Sequence, residues 1–400
     1  MSATLPPIQP ASEPPPPLVP REWRIRLDLP LLAATLGLVA CSLVVLKGAT
    51  VDDVQGQPHY FFYRQAAYAA AGLILMYGVS RLDYSRLREL RYPLYGILIG
   101  LLLIVLLLAK ATRGAHAWIP LPLFNLQPSE LGKVFLVVVL AAFLVDHARS
   151  MGRHTTARVM LIALFPTLIV MAEPDLGSAL VYVAGALAML FVAGAPWRHF
   201  AALSVLAAVA VALTLVALPK AGVEVLKPYQ VDRLTAFLHP SANKGKEGYQ
   251  QQQSLIAIGS GEKTGRGVAN ATQTRLNFLP EHHTDFIFAV VGETYGFAGG
   301  ALILSLYALL IWRGLRILTL SKNLYGALIA GGITVMFLFQ LFVNVGMCVG
   351  IMPITGVTAP LLSYGGSSML ATFLALGLLH SINAQARESL AAKGRTTVFQ

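Results

Sequence analysis

Runs of about twenty apolar residues recur along most of this 400-residue chain, and no other feature limits its fold as severely. In hydrocarbon each backbone N–H and C=O must find its partner inside the protein, so repeated runs of this length read as a bundle of membrane-spanning helices. Composition agrees: 56% of residues are hydrophobic and only 12% are charged, with a mean hydropathy of +0.65. A soluble enzyme is excluded on these values. The net charge of +11 then reads as anchoring to anionic lipid, and nucleic acid is not an expected partner. Cys41 and Cys348, both inside apolar runs, suggest neither a disulfide framework nor a metal site.

The pattern predicts an all-α, polytopic protein with about ten spans, near 28–47, 62–80, 92–109, 129–146, 157–173, 176–195, 199–218, 285–312, 324–350 and 363–383. Basic residues set the orientation. With both termini cytoplasmic, the inner segments hold seventeen Lys and Arg, among them Arg21, Arg86, Arg198 and Arg387, and the short outer loops hold four, Lys47, Arg64, Lys110 and Arg113. Residues 1–26, rich in proline, read as a disordered cytoplasmic tail, 27–385 as the transmembrane domain, and 386–400 as a second cytoplasmic tail. Residues 219–284 form one long extracytoplasmic loop between the seventh and eighth helices, and its length marks it as a place for function.

Ionisable residues beside or within membrane segments are costly, so each is a functional candidate. Glu130 and Lys133, in QPSELGK (127–133), share a helix face, either as a buried ion pair or as a lysine that meets an anion while the glutamate holds it. Glu173 and Asp175, in EPDLGSAL (173–180), sit at a short turn where Asp175 is placed to cap the next helix, which makes both structural. In GYQQQQSLIAIGSGEKTGRG (248–267) the glycines would let backbone N–H groups approach an anion, with Lys263 and Arg266 adding charge, although the Walker spacing is missing. The stretch FLPEHHTDFIFAVVGE (278–293) places Asp285 at the start of the eighth helix and Glu293 about two turns deeper. His282 and His283 cannot face one site from a regular helix, and no third ligand is spaced to join them, so zinc is not expected.

HTDFIFAVVGE (283–293), QPSELGK (127–133), PDLGSA (174–179), QSLIAIGSG (253–261) and MPITGVTAPLLSYGGSS (352–368) resemble, in order, the SEDS family of bacterial cell-wall polymerases. The resemblance covers roughly residues 27–385. Within the family the chain looks more like the elongation members, RodA, than the division members, FtsW, on GYQQQQSLIAIGSG, TRLNFLPEHHTDFIFAVVGE and the ending LHSINAQAR. It departs from the family pattern at GAHAW (114–118), where Ala117 replaces an expected arginine, so that Arg113 or His116 takes that contact or the contact is absent, and at GSGE (259–262), where Glu262 replaces a glycine.

What the resemblance implies is a peptidoglycan glycosyltransferase that polymerises lipid II on the outer face of the cytoplasmic membrane during elongation. The C4 hydroxyl of an N-acetylglucosamine attacks C1 of an N-acetylmuramic acid and expels polyprenyl diphosphate. An α-linked donor gives a β-1,4 product, and one inverting displacement needs one base and support for the leaving group. Asp285 matches the family's essential aspartate and is the expected base. Lys133, held by Glu130, with Arg275, Lys263, Arg266, Arg113 and His283, would meet substrate, while Glu293, Ser363, Gly365 and Gly366 would be structural. No cofactor is evident, and the chemistry leaves room for Mg2+ or Mn2+ on the diphosphate. The implied partners are a class B penicillin-binding protein, other elongation proteins and polyprenyl-diphosphate-linked glycan. The alternatives are a division-type FtsW polymerase and, from another class, a lipid II flippase, which would spread ionisable residues through the membrane depth.

Overall fold

The computed structural model describes residues 27–51, 53–108, 118–120, 125–148, 151–217, 219 and 246–396. Each of the ten expected segments is a helix: α1 (Leu29–Ala49), α2 (Tyr60–Arg81), α3 (Arg91–Leu108), α4 (Pro128–Asp146), α5 (Arg153–Ala172), α6 (Leu176–Val192), α7 (Trp197–Ala212), α10 (Ile287–Leu320), α11 (Leu324–Cys348) and α12 (Gly366–Thr396). Two more, α8 (Lys246–Ser260) and α9 (Thr272–Arg275), lie in the long loop. Two-residue strands, Ile119–Pro120 and Asn125–Leu126, pair antiparallel before α4. Among the described residues seven helices are long and apolar enough to cross a membrane, and α3 and α6 are shorter apolar helices. The all-α, multi-pass membrane architecture follows directly.

Local chemistry sets the helix ends. Asp28 caps α1 by accepting from the Leu31 N–H, with Pro30 in the first turn, and Asn323 caps α11 through the Gly326 N–H. Asp28 is fully buried and also binds the Arg313 guanidinium of α10, so the cap joins two helices. The fold rests on helix pairs, with α2 on α12, α10 on α11 and α1, and α6 on α11 and α5. By contrast, α7 has no fully buried residue, touches the core through Phe200 and Leu203, and presents most of its apolar surface outward.

The helices depart from expectation where polar backbone contacts override the hydrophobic pattern. The eighth span starts at Ile287, runs on to Leu320, and is broken at Gly296, whose φ of 62° and ψ of −158° are not helical. The break releases backbone groups from the helix ladder, and the loop after α8 takes them. Arg266 N–H and Gly267 N–H donate to the Glu293 and Thr294 carbonyls, and Phe297 N–H and Ala298 N–H donate to the Glu262 and Lys263 carbonyls. Only glycine fits here: at Gly265, with φ +84°, an added Cβ would lie 2.2 Å from the Thr294 oxygen. The segment 248–267 is thus a helix followed by a turn in which the N–H groups of Gly261, Gly265, Arg266 and Gly267 are already bonded within the protein. At the other end, α12 continues through Thr396, so the segment read as a tail from 386 begins as helix.

Candidate active site

The segment from Glu281 to Phe286 is a turn, not the first turn of a helix; Phe286 occupies the cap position, and Asp285 lies just before the helix it was expected to start. Three successive carbonyls in it are tied to different parts of the bundle. His283 accepts from the Tyr364 N–H at 2.9 Å, Thr284 from the Ser363 hydroxyl at 2.7 Å, and Asp285 from the Asn344 amide at 2.9 Å. Ser363 in turn accepts from the Ala359 N–H, and Gly365 N–H donates to Gln65. Gly366 opens α12 beside this knot. With its main chain clamped, Asp285 directs its carboxylate at the loop before Tyr364: a Cβ at Gly356 would lie 3.7 Å from Oδ2.

That loop gathers the other motifs. Gly177, at the start of α6, packs against the Thr355 carbonyl and Val357, so closely that an added Cβ would sit 2.8 Å from that oxygen. Asp175 caps α6 through the Ser178 N–H and also accepts from Gln127 and Ser129 at the start of α4. Gln127 N–H donates to Ser367, and Thr358 pairs with Ser368. One turn into α4, Lys133 Nζ lies 2.6 Å from Glu130 Oε1, both side chains under 10% exposed. Buried ion pairs are held by geometry at a cost in desolvation, so this lysine is pre-positioned and not freely mobile. Glu173, fully buried at the turn after α5, has its pKa pushed up to about 8 by burial, with the Asp175 charge adding to the shift.

Three basic residues of the long loop sit elsewhere. Lys263, Arg266 and Arg275 are exposed, and the two guanidiniums bind carbonyls of their own loop, at Ser260 and Ala269. Lys263 and Arg266 lie beside the α10 break, on the order of 10 Å along the helix from its start. Glu293, with no exposed surface, accepts from Gln273 N–H, Thr274 N–H and the Thr274 hydroxyl at 2.8, 3.0 and 2.7 Å, which fastens the start of α9 to α10. Arg113 lies outside the described residues.

The histidines differ most from expectation. Because 281–286 is a turn, His282 and His283 do face a common point, and Asp53 from the α1–α2 connection supplies the third group thought to be missing: its Oδ2 is 3.1 Å from His282 Nε2 and 3.9 Å from His283 Nδ1. The His283 ring also packs on Phe61 at 4.4 Å.

Residues 27–388 match the family model of FtsW, RodA and SpoVE, described as cell cycle protein. The chain belongs to this family. Among its relatives, the probable peptidoglycan glycosyltransferase FtsW of Thioalkalivibrio sulfidiphilus is 38% identical over 374 residues, covering 91% of each protein. The peptidoglycan glycosyltransferase RodA of Treponema pallidum is 34% identical over 422 residues, covering 90% of this chain and 98% of that one. A solved structure described as structural coordination of polymerization and crosslinking by a peptidoglycan synthase complex superposes with a TM-score of 0.76 at 34% identity, covering 90% of this chain and 99% of that one. Both the FtsW and the RodA names occur among the relatives, so membership of the FtsW/RodA/SpoVE family does not by itself choose between elongation and division.

Several residues of this FtsW/RodA/SpoVE site escaped the sequence reading. Asn344 and Gln65 are fully buried in apolar helices and hold the main chain around Asp285 and Ser363, and Ser367 ties α12 to the strand before α4. Each carried a usable signal: an amide or hydroxyl inside a membrane helix must find a partner in the protein.

Proposed function

We propose that the chain is a peptidoglycan glycosyltransferase, polymerising lipid II into β-1,4 glycan on the outer face of the bacterial cytoplasmic membrane, with both termini inside. The observation that carries the reading is the clamped turn at 283–285, which fixes Asp285 against the loop where the α4, α6 and α12 motifs meet. A general base must be held within hydrogen-bond reach of the proton it removes, and three main-chain anchors supply that rigidity. Asp285 takes the proton of the acceptor C4 hydroxyl as its oxygen bonds to the donor C1. The C1–O bond to the diphosphate breaks on the opposite face. Lys133, buried and oriented by Glu130, supplies positive charge for the departing diphosphate, and the exposed Lys263, Arg266 and Arg275 draw anionic lipid substrates to the outer surface.

The elongation role follows the RodA-like motifs of the long loop and the α12 ending. The partner is then a single-helix class B penicillin-binding protein, which fits the resemblance to a peptidoglycan synthase complex, engaging the outer parts of α10 and α11 and the long loop together with other elongation proteins. The test is purified Asp285→Asn with lipid II, scored for glycan polymer. The expected loss is about 10²–10⁴-fold with unchanged thermal stability, and polymer at the wild-type rate would remove Asp285 as base. Rescue of a strain depleted of its elongation polymerase, and not of one depleted of its division polymerase, tests the cellular role.

A further inference from the structure

The convergence of Asp53, His282 and His283 carries a second chemistry. One ligating atom from each lies within 4.8 Å of the others, and the side chains come from two segments far apart in sequence. His282 fixes its own tautomer. Its Nδ1 is 3.2 Å from the Leu279 carbonyl, which can only accept, so Nδ1 donates there and Nε2 is the nitrogen left to face inward. That Nε2 faces Asp53 Oδ2 at 3.1 Å, both atoms are enclosed, and neither makes a hydrogen bond of normal geometry. An enclosed imidazole nitrogen and a carboxylate oxygen this close call for a cation between them, a proton or a metal ion. The backbone carbonyl behind His282 is the arrangement that orients imidazoles toward metals. Bonds of about 2.0–2.2 Å to nitrogen and carboxylate oxygen put tetrahedral ligands about 3.3 Å apart; the Asp53–His282 pair is already at 3.1 Å, and His283, 3.9 Å from the same carboxylate oxygen, would close in on the ion.

We infer that Asp53, His282 and His283 form a site for a divalent transition metal, with zinc as the ion its donors suit best. Two imidazoles and one carboxylate match zinc, and three protein ligands leave a position open for water or an anionic oxygen. The metal joins the α1–α2 connection to the turn that carries Asp285. It adds a fourth anchor to a segment already held at three carbonyls. The inference rests on the geometry of these three residues and not on the glycosyltransferase reading.

Tag-free, full-length protein in detergent is stripped with a chelator, dialysed, and titrated with Zn2+ or with Co2+ as its spectroscopic stand-in. Bound metal per chain, the visible cobalt absorption and thermal stability are measured for wild type, Asp53→Asn, His282→Gln and, as a control, the exposed His154→Gln. Wild type and the control are expected to take up one metal per chain, to show the absorption of a low-symmetry cobalt site and to melt higher when loaded. Asp53→Asn and His282→Gln, from separate segments, are expected each to weaken binding by about 100-fold or more. Metal-free melting points show whether either variant is misfolded, so each controls for the other. Uptake well below one equivalent, or equal uptake in all four proteins, overturns the site. Stability that follows pH but ignores metal also overturns it and leaves an imidazolium–carboxylate pair.

Discussion

Glu293 offers the sharpest measure of how the long loop is fastened. Its carboxylate is the sole protein acceptor shown for three donors, the Gln273 and Thr274 N–H groups and the Thr274 hydroxyl. Thr274 is buried and Gln273 half-buried, so truncation to alanine strands two donors away from water and one near it. At about 1–3 kcal/mol for each stranded donor, with the half-exposed one at the low end, Glu293→Ala should cost about 4 kcal/mol. Glu293→Gln keeps one acceptor oxygen but turns an NH2 toward a donor, for about 2 kcal/mol, and Thr274→Ala loses one charge-assisted bond, for about 1.5 kcal/mol. Thermal unfolding in detergent ranks the three, and hydrogen exchange over 268–279 localises the effect, with amides at 273 and 274 exchanging up to about a thousandfold faster in Glu293→Ala. If Glu293→Ala were no worse than Thr274→Ala, the α9 backbone would have other acceptors and the carboxylate would not be its anchor.

Replacing Lys133 by alanine leaves Glu130 buried alone and should cost about 3–5 kcal/mol, whereas the paired change Glu130→Leu with Lys133→Met should restore stability; lipid II polymerisation by the stable double variant should remain lost if the lysine serves the diphosphate. Gly265→Ala forces a side chain into a backbone with φ +84° and against the Thr294 carbonyl, so melting should fall sharply and polymerisation with it. Glu173 titrates higher in the folded protein, at about 8, than in the unfolded chain. Its contribution is therefore fully present below about pH 4.5 and lost as pH rises toward 8, by linkage between pKa and folding. Glu173→Gln should melt higher than wild type at pH 8 and lose most of the pH dependence between those limits.

The bundle was legible because span length and hydropathy are properties of contiguous sequence, and every expected segment became a helix. What the reading lost was written in residues that hydropathy does not score. Gln251, Ser254 and Ala257 recur at helical spacing and are buried on one face of α8, yet amides and hydroxyls look like loop to an apolar filter. Nor does hydropathy score the close packing of Gly261 and Gly265 against the α10 backbone. At the site, Asp285 stood out by motif, and Glu130 with Lys133 by their spacing. Asp53 did not, because its neighbours lie some 230 positions away in the chain and only the turn at 281–286 brings them to it.

The break at Gly296 makes covalent continuity a poor guide to which parts of the protein move together. Residues 287–295 are joined to the rest of α10 through one non-helical glycine, and the α8 turn spans that joint, with two main-chain bonds to Glu293 and Thr294 before it and two to Phe297 and Ala298 after it. Mechanically, the turn is a splint across Gly296 that holds the two helix segments at the angle the glycine sets. A force applied to the outer surface of α8 therefore reaches both segments of α10 at once, the one that leads back to Asp285 and the one that runs on to Leu320.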